Sequence, residues 1–180
     1  MSSGVESYLV RDGASGMYVA NTAMLSEEDV LAAAEEILFR RLERGDQLNT
    51  IERFVSFLWI RLNPRLSEVF AILFLDASLR MLAYEEMFFG TVSMTAVHPR
   101  EIVRRCLHHN ASHVVIAHNH PSGDSTPSTA DKELTATLQS VLRLIDVKVV
   151  DHVVVGKVVT SFLASGLLEE PKVPRKRRAR

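Results

Sequence analysis

HVVIAHNHPSGDSTPSTAD, residues 113–131, contains the change of pattern on which the fold turns. Its opening residues, His113 to Ala117, are short, valine-rich and apolar, the pattern of a buried strand. Residues 121–127 hold Pro121, Gly123 and Pro127 and are expected to form a loop, because proline fixes φ and glycine accepts either sign of it. Ser128 and Asp131 make the S-x-x-D of a capping box. Leu134, Leu138, Val141, Leu142 and Ile145 follow at helical spacing, so 128–145 is expected to be a helix.

His118 and His120 stand where the strand runs into the loop. In an extended chain, residues i and i+2 project from one face roughly 6.6 Å apart, close enough for two imidazoles to converge on one ion. Zinc that keeps an open position commonly takes three protein ligands, and Asp131 is the nearest candidate for the third. Each feature also has a plain structural reading. His-x-His arises by chance, and Ser128 with Asp131 can serve only to start a helix. The four together favour a metal centre, since each residue is where a ligand, or a hydroxyl beside one, would have to be.

The same periodicities extend outward. Residues 1–24 carry the turn signals Asp12-Gly13 and Ser15-Gly16 and read as loop or a weak hairpin. Ser26 with Asp29 makes a second capping box, after which Val30, Leu31, Ala34, Ile37, Leu38 and Leu42 recur at helical spacing as far as Gly45. A further helix is expected over about 50–62, with Ile51, Phe54, Val55, Leu58, Trp59 and Leu62 on one face and Asn63-Pro64 as its stop. Val69 to Leu75 reads as a buried strand, and 81–88 as its hairpin partner. His98-Pro99 opens a helix whose inward face is Ile102, Val103, Cys106 and Leu107 and which Asn110 ends; Val147 to Val155 is the last strand. Alternating strands and helices make the class α/β, with some parallel pairing.

Composition narrows the setting. The chain has 180 residues, 47% of them apolar, enough for one buried core. Its apolar run Val69 to Leu75 is far too short to cross a bilayer as a helix, so no membrane partner is expected. MSSGVESYLVRDG lacks a basic segment followed by an apolar stretch, so no secretory signal is expected either. Cys106 is the single cysteine, which suits a reducing compartment, and a cytoplasmic location is expected. The net charge of −1 hides an asymmetry: six of the 21 basic residues lie in 171–180, leaving 15 basic against 22 acidic residues, or −7, over 1–170. That tail is a candidate contact for nucleic-acid phosphates, though basic C-terminal runs are more often solvated, disordered chain ends, and that reading is preferred.

HNHPSGDSTPSTAD resembles the JAMM (MPN-plus) metalloprotease motif, His-x-His followed after seven residues by Ser-x-x-Asp, in the form found in RadC-like bacterial proteins. GTVSMTAVHPREIVRRCLHHNASHVVIAHNHPSGD, residues 90–124, and IDVKVVDHVVVG, residues 145–156, resemble the same proteins. The likeness spans roughly 68–168, which it marks as the RadC-like MPN domain, with 1–67 an N-terminal extension and helical pair and 169–180 the tail. It implies a JAB/MPN-type, cytidine-deaminase-like mixed sheet flanked by helices. It also implies one zinc ion on His118, His120 and Asp131, and hydrolysis of a peptide or isopeptide bond in a protein or peptide substrate. The family's Glu-x-apolar-Phe-x-Gly-Thr pattern falls on EEMFFGT, residues 85–91, and makes Glu85 the proton acceptor. Ser128 would then donate to the developing oxyanion. Strand alternation alone does not choose between Glu85 and Glu86, because both faces of 81–89 are largely apolar.

RadC-like proteins carry a DNA-repair label, and longer members carry a helix-hairpin-helix region whose glycine-centred pattern residues 1–67 lack. A metal-dependent nuclease or DNA-processing protein is therefore one alternative, and a non-catalytic MPN interaction module another. The contiguous His118-Asn119-His120 is not the motif of HNH nucleases, whose residues are spread over a ββα unit. Zinc deaminases need His-x-Glu and Pro-Cys-x-x-Cys, both absent. Cys106, on an apolar stripe, reads as a buried structural thiol. His98, His113 and His152 have no partner at ligand spacing, and Asp151 reads as an anchor between strands.

Overall fold

Alternation within VFAILFL builds a sheet that is covered on both sides. The computed structural model describes residues 9–11, 17–20, 24–43, 51–90 and 97–168. Strands β1 (Leu9–Arg11) and β2 (Tyr18–Ala20) pair antiparallel ahead of helices α1 (Glu27–Glu43) and α2 (Ile51–Leu62). There follow β3 (Val69–Leu75), β4 (Met81–Phe89), α3 (Pro99–His108), β5 (His113–Asn119), α4 (Thr129–Arg143), β6 (Lys148–Val155) and β7 (Val159–Ser161). The last five strands form one sheet in the order β4-β3-β5-β6-β7. Only β5 and β6 run parallel, with α4 as their crossover; the other neighbours are antiparallel.

All seven residues of β3 are buried. Val69, Ala71, Leu73 and Leu75 meet Phe54, Phe57, Leu58 and Leu62 of α2. Phe70, Ile72 and Phe74 point the other way, onto Ile102 and Cys106 of α3 and Leu138 and Leu142 of α4. Each large side chain so buried contributes roughly 1.5–3 kcal/mol relative to exposure. The expected α/β class is what forms: a mixed sheet with α2 on one face, α3 and α4 on the other, and α1 against α2 and β4.

Local signals set most element ends. Ser26 Oγ accepts from Asp29 N at 3.1 Å while Asp29 Oδ2 accepts from Ser26 N at 2.9 Å, so α1 starts at its capping box. Asn110 closes α3 with φ of +52°, a conformation asparagine tolerates. Three readings differ from the structure. Strand β5 runs two residues beyond Ala117, because its ladder to β6 continues through His118↔Val154 and Asn119↔Val155. Strand β7 goes unread: its three residues have no alternation of their own and are placed by pairing with Val153 to Val155. Leu107, expected inward, is 63% exposed, since Ile102 and Cys106, four apart, already fill the inner face of α3. Cys106 is buried, which pushes its thiol up to about 12.

Asp12-Gly13, Ser15-Gly16, Gly45, Thr91 and the tail 169–180 lie outside the described residues. Among the described residues no helix is long and apolar enough to cross a membrane.

Candidate metal centre

His118 is the penultimate residue of β5 and shares the α3–α4 face with Val114 and Ile116; it is 2% exposed. His120 lies one residue past the strand, where its N–H donates to Val155 O at 2.8 Å and keeps the chain in the line of the sheet. Alternation therefore brings both rings to one side. Asp131 reaches the same point from the first turn of α4, whose start Ser128 fixes. The Nε2 atoms of His118 and His120 are 3.0 Å apart, and Asp131 Oδ1 is 3.3 Å from the first while its Oδ2 is 3.9 Å from the second. Donors at the corners of a zinc tetrahedron, bonded at 2.0–2.1 Å, stand about 3.3 Å from one another. The donor set fits such an ion, and it is the single group of three or more His, Cys, Asp or Glu side chains among the described residues that does.

Hydrogen bonds at the back of each ligand aim it. His120 Nδ1 is 2.6 Å from the carbonyl oxygen of Asp124, which can only accept, so Nδ1 carries the hydrogen and Nε2 presents a lone pair. Ser128 Oγ donates to Asp131 Oδ2 at 2.6 Å and accepts from Asp131 N at 3.1 Å; Ser128 N donates to the same Oδ2 at 2.7 Å. Burial raises the Asp131 carboxyl, but its neighbours His118 and Ser128 outweigh it and hold the group below its usual range. Ser128 therefore stands beside the candidate ligands, with its one proton committed to Asp131. An oxyanion donor would need that proton directed outward.

Glu85 is not brought to this point. Its carboxylate lies on the face of the sheet that bears His118, opposite Ile72, but it is gripped by the guanidinium of Arg105 and by His109 Nε2 at 2.7 Å. The Arg105 hydrogen bonds lower it to about 2, against the opposing effect of burial and with help from His109. The expectation that Glu85 accepts a proton at the centre is corrected accordingly: an ion-paired carboxylate outside the ligand group makes a poor base. Glu86 points to the opposite face and pairs with Arg65 at 2.7 and 2.9 Å.

Three residues were given no role in the sequence reading. Glu68 immediately precedes β3; pairing sets Phe70 beside His118, so two residues earlier Glu68 falls on the same face, next to His120. It lines a cleft of about 360 Å³ with Leu66, His120, Pro121 and Ser122. Among the described residues no group pairs with its half-buried carboxylate. Asn119 is buried at the end of β5, where Oδ1 accepts from Val69 N at 2.8 Å and Nδ2 donates to Arg65 O and Ser67 O at 3.2 and 3.0 Å, clamping the segment that carries Glu68. His152 is fully buried behind His118 and stacks on Phe162 with ring centroids 4.6 Å apart. A histidine inside the apolar DHVVVG run is the one local sign of it. Asp151 is the anchor it was read to be, accepting from Ser161 Oγ and from the N–H groups of His152 and Leu163.

The loop 120–128 is held close to the sheet. A Cβ at Gly156 would lie 2.5 Å from the carbonyl oxygen of Gly123, so two backbones meet where no side chain fits.

Residues 48–167 match the family model described as a RadC-like JAB domain. A UPF0758 protein of Vibrio cholerae is 45% identical over 142 residues, covering 79% of this chain and 90% of its own. A UPF0758 protein of Thioalkalivibrio sulfidiphilus is 46% identical over 155 residues, 86% of this chain and 69% of its own. One from an Acidovorax species is 48% identical over 127 residues, 71% and 53% of the two chains.

Proposed function

The chain belongs to the RadC-like JAB domain family, and from that premise we propose that it is a zinc-dependent hydrolase of peptide or isopeptide bonds. The observation that carries the reading is the convergence of three donor atoms from His118, His120 and Asp131 beside the carboxylate of Glu68, which no group among the described residues pairs with. Zinc suits two imidazoles and one carboxylate, and when bound it acidifies water and polarises a carbonyl. The chain's own residues supply the remainder. Glu68 takes a proton from the water that attacks the carbonyl carbon and delivers it to the amine nitrogen as the C–N bond breaks. Asn119 holds the backbone on both sides of that base. Ser128 orients Asp131, and Leu66, 96% exposed on the cleft wall, offers an apolar surface to a substrate side chain.

The test is cleavage of quenched peptide and isopeptide-linked substrates by the zinc-loaded protein, with single-stranded and duplex DNA as parallel substrates. Glu68→Gln is expected to lower peptide turnover at least about 100-fold with zinc content unchanged. Wild-type turnover in Glu68→Gln would remove the base from the reading, and cleavage of DNA with peptides left intact would replace the substrate class.

A further inference from the structure

A line of hydrogen bonds runs inward from the metal centre, away from the cleft. His118 Nδ1 is 2.8 Å from His152 Nε2, His152 Nδ1 is 2.6 Å from Thr135 Oγ1, and Thr135 Oγ1 donates to Asp131 O at 2.6 Å. The end of the line sets its direction. A carbonyl only accepts, so the single hydroxyl proton of Thr135 goes to Asp131 O, and the Thr135 oxygen must receive a proton from His152 Nδ1. The ring of His152 is fully buried and neither of its nitrogens meets a carboxylate, which keeps it neutral and leaves Nε2 as a lone pair. That lone pair takes the Nδ1 hydrogen of His118. His118 Nε2 is then unprotonated and faces His120 Nε2 and Asp131 Oδ1, at 3.0 and 3.3 Å.

We infer that His152 and Thr135 are positioning residues that lock His118 in the one tautomer able to bind a divalent cation. The inference rests on the metal-binding part of the proposed function and adds to it two residues outside the ligand set. A ring nitrogen that donates to a buried acceptor is both oriented and more basic at its opposite nitrogen, and loss of such a partner typically weakens metal binding 10–100-fold. The competing account makes His152 a core filler, stacked on Phe162 and edge-on to Phe70. That account predicts a less stable protein whose folded fraction binds metal normally.

Zinc(II) affinity measured on folded protein by competition with a chromogenic chelator separates the two. Thr135→Val, which keeps shape and removes the hydroxyl, and His152→Phe are each expected to bind zinc about 10–100-fold more weakly, while Thr135→Ser stays within about threefold of wild type. Thermal melts confirm that each variant is folded. In the metal-free wild type, ring 15N shifts are expected to show His118 protonated at Nδ1. Unchanged affinity in folded Thr135→Val and His152→Phe, or His118 carrying a hydrogen on Nε2 and none on Nδ1, would overturn the inference. If the wild type binds no zinc, the hydrolase reading falls, and the tautomer of metal-free His118 still decides the relay.

Discussion

Asn119 sits between two imidazoles and faces the other way. Its amide reaches the α2 side of the sheet and satisfies the N–H of Val69 and the carbonyls of Arg65 and Ser67, all next to Glu68 in the chain. Asn119→Ala would strand these backbone groups at about 1–3 kcal/mol for a buried unsatisfied partner and free the segment that aims the base. The variant is expected to hold zinc within a few-fold of wild type yet to lose most of its turnover; parallel affinity and turnover measurements read the split. His118, His120 and Asp131 were legible in the sequence because their relation is local, an i, i+2 pair and a helix cap. Glu68 was not, because only the pairing of Phe70 with His118 brings it beside His120, a residue far away in the sequence. The motif that pointed to Glu85 found the right face of the sheet but not a free carboxylate.

At the scale of elements, Glu85 ties the edge strand β4 to α3 through Arg105 and His109, whose ring lies 4.7 Å from that of Phe74. Its folded-state value of about 2 is below the ordinary 4.5, so the stabilisation is present in full above about pH 4.5 and drains away as the pH falls toward 2. Glu85→Gln is accordingly expected to cost about 2 kcal/mol near neutral pH, with the gap to wild type closing in acid. Denaturant midpoints for both proteins from pH 7 to 2.5 measure it; a gap independent of pH would mean that the charge contributes nothing. Helices with a cap and a stripe were read to within a few residues, as were strands long enough to alternate. Three-residue β7 carries no such period, and its place depends on a partner strand.

Over the whole molecule, the donors come from the end of β5 and the start of α4, two elements of the one parallel crossover, so an ion would staple that unit. Zinc at 100 times its dissociation constant adds about 2.7 kcal/mol to stability, or roughly 5–10 °C in Tm for a chain of this size. Wild type is expected to show that rise and to lose it with a chelator, and His120→Ala to show neither in the same melt. The covered sheet itself was readable because VFAILFL is apolar at every position, which only a strand buried on both faces requires. One consequence lies in Asp131, whose Oδ2 closes the helix cap with Ser128 while Oδ1 is turned to His118. The pair would serve the start of α4 equally in a protein that held no ion. Ser-x-x-Asp alone therefore does not report a bound ion, and the two histidines, which close no cap, carry that information.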